Sequence, residues 1–294
     1  MMKNLLTSVI LFIMISGSVI AQSIYFRAGT GYGLPIATAS IGEIHSQTDV
    51  ANVAGTTSTA STKGVNASYG SGPDLNFAFG YKLNENFIID LNFQYLMGTK
   101  FKIGDTYNST SGTYSYVNNN ITTTSSKGLF FNPSIIFSAG FGKAAPYARF
   151  GLYAGSPTVT SERSSYYNGD GIDSTVYRGE YKKGIAFGFQ GAVGMNWKLS
   201  EKLDLFTELN FISMTYYAGE FDVTKNISSN GSTVTDNLPT MSLSQKQIIY
   251  KKEYDPTKVN IDATKPTIAL RQSTPFSSLS LQIGIRFSLW KLAE

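Results

Sequence analysis

The sequence predicts an all-β fold: a transmembrane, antiparallel up-and-down meander closed into a β-barrel. Three observations carry that reading. The chain has 28 Gly, 19 Phe and 18 Tyr against only 15% charged residues, an excess typical of strands rather than helices. Eight segments alternate large apolar residues with small or polar ones. The connections between those segments alternate strictly between long and short.

Composition first removes other classes. The 294 residues suit one large or two small domains. With no Cys there is no disulfide framework, no thiolate metal site and no cysteine nucleophile. A single His, His45, rules out a multi-histidine metal centre. A hydrophobic content of 42% with low charge argues against disorder. The net charge of +4 comes from thinly spread Lys and Arg, whose longest runs are Lys182-Lys183 and Lys251-Lys252. Nucleic-acid binders concentrate positive charge on one face, so no nucleic-acid partner is expected.

Residues 1–21 read as a secretory signal peptide. Lys3 is the charged start, residues 5–15 are apolar apart from Thr7 and Ser8, and Val19-Ile20-Ala21 resembles a small-residue cleavage site. The apolar run is too short for a stable membrane helix. Cleavage near Ala21 leaves residues 22–294 as one β-domain.

The strands follow in order. Residues 23–34 place Ile24, Phe26, Ala28, Tyr32 and Leu34 opposite Arg27, Gly29, Gly31 and Gly33. Residues 73–83 alternate Leu75, Phe77, Phe79, Tyr81 and Leu83 with Asn76, Ala78, Gly80 and Lys82. Residues 87–97 set Phe87, Ile89, Leu91, Phe93 and Tyr95 against Asp90, Asn92 and Gln94. Residues 128–140 oppose Leu129, Phe131, Ile135 and Phe137 to Asn132, Ser134 and Ser138. Residues 146–155 oppose Ala148, Phe150 and Leu152 to Tyr147, Arg149, Gly151 and Tyr153. The cleanest pattern is 184–199, with Ile185, Phe187, Phe189, Val193, Met195 and Trp197 facing away from Gly188, Gln190, Gly194 and Asn196. Residues 203–217 set Leu203, Leu205, Leu209 and Phe211 against Asp204, Glu208 and Asn210. Residues 276–290 alternate Leu279, Leu281, Ile283, Ile285, Phe287 and Leu289 with Ser280, Gln282, Gly284 and Arg286.

A period of two means half-buried strands. A soluble sandwich alternates as well, with its large residues facing a core. The connections distinguish the two. Those at 84–86, 141–145 and 200–202 are short. Those at 35–72, 98–127, 156–183 and 218–275 are long and rich in Ser, Thr, Asn and Gly. Short turns on one side and long extracellular loops on the other suit a barrel with short periplasmic turns. Structureless loops of this length are uncommon in compact soluble domains. Eight strands are expected; ten result if the connection 218–275, with its weakly alternating QKQIIYKKEY stretch, contributes two more. An internal echo, Lys82-Leu83-Asn84-Glu85 and Asp90-Leu91-Asn92-Phe93 against Lys198-Leu199-Ser200-Glu201 and Glu208-Leu209-Asn210-Phe211, fits either duplication or two hairpins under one constraint.

With its leader, eight amphipathic strands and terminal LSLQIGIRFSLW strand, the chain resembles the small outer-membrane β-barrels of the OmpA and OmpX type, often described as porin-family proteins. The resemblance runs over residues 22–290. It implies the outer membrane of a Gram-negative-type cell, recognition by the outer-membrane insertion machinery and a monomer. Such families commonly end on an aromatic residue, whereas here residues 291–294 follow Trp290.

In lipid every backbone polar group must be paired, so the strands must close. The large residues then face lipid and the Gly-rich polar face points inward. Interfacial aromatics are expected at Tyr81, Phe87, Trp197 and Trp290 beside the short turns, and at Tyr32, Tyr95, Tyr217 and Phe276 beside the long loops. Arg27, Asp90, Arg149, Glu208 and Arg286 all fall on the inward face at similar depth. Unpaired buried charge is very costly, so these five predict an ion-pair network across the lumen. An eight-stranded barrel has room for little beyond its own side chains. The network therefore reads as a structural plug, with a gate or proton path as the other possibility.

Signals for chemistry are sparse. Outer-membrane barrel enzymes need an activated nucleophile or water. His45, near Glu43 and Ser46 in the first long connection, reads as a solvated loop residue, and no enzymatic activity is expected. Residues 168–173, NGDGID, resemble part of a calcium loop, but its twelfth position is Gly179, so a turn is expected and no metal or cofactor. Lys246, Lys251, Lys252, Lys258, Lys265 and Arg271 make the fourth connection basic, a surface that could meet lipopolysaccharide phosphates or simply be solvated. The expected function is a structural or surface-interaction role through the long loops, in contact with outer-membrane lipids. The alternatives are a narrow channel for small solutes and, remotely, a barrel enzyme.

Overall fold

The computed structural model describes residues 23–52, 55–84, 86–112, 114–139, 142–168, 172–253 and 262–291. The expected leader at 1–21 lies outside the described residues. The strands are β1 (Ser23–Pro35), β2 (Ala39–Asn52), β3 (Gly55–Ala67), β4 (Gly72–Lys82), β5 (Phe87–Met97) and β6 (Phe101–Ser111). They continue with β7 (Tyr114–Ser138), β8 (Ala144–Gly155), β9 (Thr158–Asn168), β10 (Ile172–Lys182), β11 (Ile185–Lys198) and β12 (Leu203–Tyr217). After β13 (Glu220–Asn230) and β14 (Thr233–Asp236) comes a single helical turn, α1 (Leu243–Lys246). Then follow β15 (Gln247–Lys251), β16 (Thr267–Leu270), β17 (Ser273–Pro275) and β18 (Ser278–Lys291). All eighteen belong to one sheet.

Within that sheet, pairing runs β1–β4–β5–β7–β8–β11–β12–β18 and returns from β18 to β1. Every pairing in this ring is antiparallel, so it has no free edge along its length. Each alternating segment of the sequence lies in one of these strands. The last begins later than its pattern suggests: Ser278 opens β18, and residues 273–275 form β17 beside β12.

The two faces of the ring differ sharply. Outward side chains are large, apolar and exposed, among them Phe79 at 53%, Phe189 at 58% and Leu281 at 65%. They pair across strands, as Phe87 does with Phe137 at 5.2 Å and Phe93 with Phe131 at 5.3 Å between ring centroids. Midway along the ring the inward side chains are mainly polar or small: Asp90, Asn92, Asn132, Arg149, Glu208 and Gln282 are all shielded from solvent. Inward glycines leave room for the few large residues that cross the interior. A Cβ on Gly80 would overlap the Tyr25 ring, and one on Gly194 would overlap Tyr147.

The long connections depart from expectation. They are largely strand rather than loop. β2 pairs with β3 and, in parallel, with β6; β6 pairs with the first half of β7, which also pairs with β9. The sheet continues through β10, β13 and β15 to β16. These strands are rich in β-branched and hydroxyl residues, as in GTTSTASTKGVNA of β3, but both of their faces are polar and no alternation marks them. Eighteen strand elements therefore stand where the alternation marked eight. Strands β13 to β16 of the fourth connection do not enter the ring, since β12 pairs directly with β18, and β17 only continues β18 along β12. Glycines in the left-handed region, Gly112 (φ 58°) and Gly231 (φ 56°), turn the β6–β7 and β13–β14 hairpins.

Candidate functional site

The interior of the ring is layered. Nearest the short turns, Arg286 of β18 meets Asp204 of β12, its direct register partner, with Nε donating to Oδ2 at 2.8 Å. This layer borders a cavity of about 520 Å³ that also touches Lys82, Lys143 and Lys198.

Above it lies a dry ion cluster. Glu208 Oε2 sits 3.3 Å from Arg27 Nη1 and 3.1 Å from Arg149 Nη2, with all three side chains buried. The Tyr147 hydroxyl donates to the same oxygen at 2.8 Å. Beside this cluster, Tyr25 donates to Asp90 Oδ2 at 2.6 Å. Arg27 and Arg286 are direct neighbours across β1 and β18, a like-charge pairing that would ordinarily repel. The structure separates them by giving each its own carboxylate and ring. Arg27 lies over Phe206 at 4.7 Å and Arg286 over Tyr25 at 5.3 Å. Buried ions are costly unless paired and hydrogen-bonded. Here two guanidinium groups and a phenol converge on one carboxylate, while Arg149 is held by charge alone, with no hydrogen bond among the described residues.

A band of amides follows. Gln190 donates to Asn210 at 2.7 Å, and Gln282 and Asn76 both donate weakly to Asp74 at 3.4 Å. Toward the long connections the interior becomes apolar. Tyr69, Phe130, Tyr153, Tyr216 and Phe276 pack with Ile212 and Met214. Phe276 is central, with ring centroids 5.4 Å from Tyr216, 5.9 Å from Tyr69 and 6.4 Å from Phe130. Two irregular segments are drawn inward to make this plug. Phe276 N donates to Met214 O at 2.9 Å, Tyr69 N to Pro275 O at 2.9 Å, and Ser68 Oγ to Ser277 O at 2.6 Å.

The five inward charges therefore divide. Arg27, Arg149 and Glu208 form one cluster, Asp90 faces Tyr25, and Arg286 takes Asp204 in a separate layer. Sequence reasoning did not find Tyr25, Tyr147 or Asp204 as partners, nor the plug. Strand parity already put Tyr147 and Asp204 on the inward face, but the register between β12 and β18 is set by the ring and not by a hairpin.

Among the expected rim aromatics, Tyr32, Phe87, Tyr95 and Tyr217 are exposed on the outer face, and Tyr81 and Trp197 are half-buried. Phe276 is a correction. It is fully buried in the plug, because the chain bends inward before β18 begins. The side chain of Trp290 lies outside the described residues, as do Lys258 and positions 169–171 of the calcium-like segment. His45 lies in β2, where Nδ1 sits 2.9 Å from Thr62 Oγ1 across the β2–β3 hairpin. Among the described residues, no group of three His, Asp or Glu could hold a metal ion.

In the outer sheet the pairs are wetter. Arg178 Nε donates to Glu162 Oε2 at 2.7 Å and Lys182 pairs with Asp222 at 2.6 Å. Hydrogen bonds from Ser58, Tyr107 and Gln47 hold the Asp49 carboxyl below its ordinary range. Tyr107 donates at 2.7 Å.

No protein-family model matches the chain, and no curated protein matches it. Among solved structures, it is similar to the crystal structure of the outer membrane protein OprG from Pseudomonas aeruginosa. The TM-score is 0.40 and the identity 9%, over 92% of this chain and 96% of that one.

Proposed function

We propose that the chain is an integral outer-membrane protein, an eight-stranded barrel with a closed lumen that acts at the cell surface through its outer sheet. One observation carries this reading: the ring is inside-out, with phenylalanines and leucines exposed on its outer face and ions buried within. Soluble proteins rarely expose an apolar belt of this extent. A bilayer makes that belt favourable and requires a ring of strands with every backbone group paired. No helix among the described residues is long and apolar enough to cross a membrane, so spanning falls to the strands. Strands β4 and β5, of 11 residues each, are about the length that crosses a bilayer at a tilt of roughly 45°.

In this reading the leader at 1–21 directs export, and the outer sheet stands above the membrane. The ion cluster and the aromatic plug bar solute passage. The basic residues around β15 and β16 give the outer surface an affinity for lipopolysaccharide phosphates. Among the described residues the hydrogen-bond partner of His45 is the neutral Thr62 hydroxyl.

The absence of cysteine makes a clean topology test. Ser58→Cys in β3 is expected to react with a membrane-impermeant maleimide on intact cells, whereas Ser200→Cys in a short turn is expected to react only after lysis. The reverse pattern, or equal labelling, overturns the orientation.

A further inference from the structure

Directly above the plug, inside the outer sheet, is a cavity of about 590 Å³. Its floor is made by Tyr69, Tyr216 and Pro275, and its walls include Val159 of β9, Tyr181 of β10, Tyr250 of β15 and Leu270 of β16. We propose that this cavity is a binding site for a short neutral saccharide. The inference rests on the surface-binding reading above and gives it a ligand class.

Four features of the cavity lead there. Its volume falls in the range of ordinary ligand sites. Tyr216 is 1% exposed, yet its hydroxyl has no hydrogen-bond partner among the described residues while the residue lines the cavity. Leaving that hydroxyl unpaired is costly, and a ligand group seated at the cavity floor would offer it a partner. Among the described residues that line it there is no Lys, Arg, Asp or Glu, although Lys182, Lys251 and Arg271 lie nearby in the chain. A charged ligand would enter without a counter-charge, which is costly. Finally, the lining mixes aromatic faces with neutral hydrogen-bonding groups. Tyr181 and Tyr250 stack at 6.2 Å with 25° between their planes. Ser40, Ser161, Gln272, Ser273 and Thr274 supply hydroxyl and amide groups.

A hydrocarbon would strip water from those hydroxyls and amides without replacing it. A saccharide presents C–H faces to tyrosine rings and hydroxyls to the polar lining, so it meets both halves of the wall. Tyrosine suits this task because its apolar body and polar tip act together.

The test uses the full chain refolded in an amine-oxide detergent, since maltoside and glucoside detergents would themselves compete. Maltotriose, cellotriose and chitotriose are titrated by calorimetry and saturation-transfer NMR, with 3′-sialyllactose and toluene as charged and apolar comparisons. At least one neutral trisaccharide is expected to bind saturably and more tightly than either comparison. Tyr216→Phe, which keeps the ring and the plug, is expected to weaken it by about fivefold to tenfold, the loss of one buried hydrogen bond. Tyr250→Ala, on the cavity wall away from the ring, is expected to weaken it further. No saturable binding by any of the three, tighter binding of toluene, or affinity untouched by both substitutions overturns the proposal. Such failure is distinct from failure of the closed-barrel reading, which conductance measures independently of any ligand.

Discussion

The ring and the outer sheet are built from the same chain and share β7, yet they follow different rules. In the ring, the two faces of each strand meet different surroundings. FIIDLNFQYLM of β5 therefore alternates, with Phe87, Leu91 and Phe93 outward and Asp90, Asn92 and Gln94 inward. In the outer sheet both faces of β3 are exposed as far as Gly64, and GTTSTASTKGVNA is mostly Thr, Ser, Ala and Gly with no alternation of large and small. Alternation thus reports a difference between two environments rather than the presence of a strand. The same contrast marks charge: the ion pairs around Glu208 are fully buried, while those of the outer sheet are partly solvated.

The largest expected effect sets one region against the other. Glu208→Ala leaves Arg27 and Arg149 buried without their carboxylate and is expected to cost about 3–5 kcal/mol, as breaking a buried ion pair does. Glu162→Ala removes the partner of Arg178 in the outer sheet, where the pair is partly solvated, and is expected to cost less than about 1 kcal/mol. Urea unfolding in lipid vesicles measures both. Equal effects would remove the distinction between the regions.

Glycine sharpens it next. Gly80→Val would drive two methyl groups into the Tyr25 ring and is expected to destabilise by about 1–3 kcal/mol through overpacking. Gly64→Val in β3 meets nothing within 4 Å and is expected to be neutral or slightly stabilising, because valine favours strands. Loss of folding yield in the Gly64 variant, with none in the Gly80 variant, would contradict the packing described.

The smallest effect concerns pH in the outer sheet. Hydrogen bonds from Ser58, Tyr107 and Gln47 lower the Asp49 pKa on folding. Its contribution is therefore complete above the ordinary aspartate value of about 4 and lost as pH falls through the lower folded value. Amide protection of β2, corrected for intrinsic exchange, is expected to drop in that window and to lose this dependence in Asp49→Asn. An unchanged profile in the variant would exclude Asp49 as its source.

Much of the ring was legible in the sequence, because the apolar outward and polar inward residues differ along each of its strands. Strand parity also placed Arg27, Arg149 and Glu208 on one inward face at similar depth. Their partners were less accessible. Asp204 meets Arg286 only through the register of β12 against β18, two strands separated by the whole fourth connection. Tyr25 and Tyr147 look like ordinary strand aromatics until Gly80 and Gly194 are found opposite them. The outer sheet escaped notice for the reason given above, since strands wetted on both faces carry no period. Phe276 illustrates the remaining limit. Its place beside a long connection suggested the membrane rim, whereas a local bend turns it into the plug, and bends of irregular chain leave no pattern to read.

The central claim is that side chains close the lumen at two levels, an ion cluster around Glu208 and an aromatic plug around Phe276. Single-channel recording in a planar bilayer tests it most directly, with insertion verified independently. The intact protein is expected to give no discrete conductance steps, and a double variant, Phe276→Gly with Arg149→Ala, is expected to give steps if it folds. Reproducible steps from the intact protein would contradict the account and make Arg27, Arg149 and Glu208 the constriction of a channel.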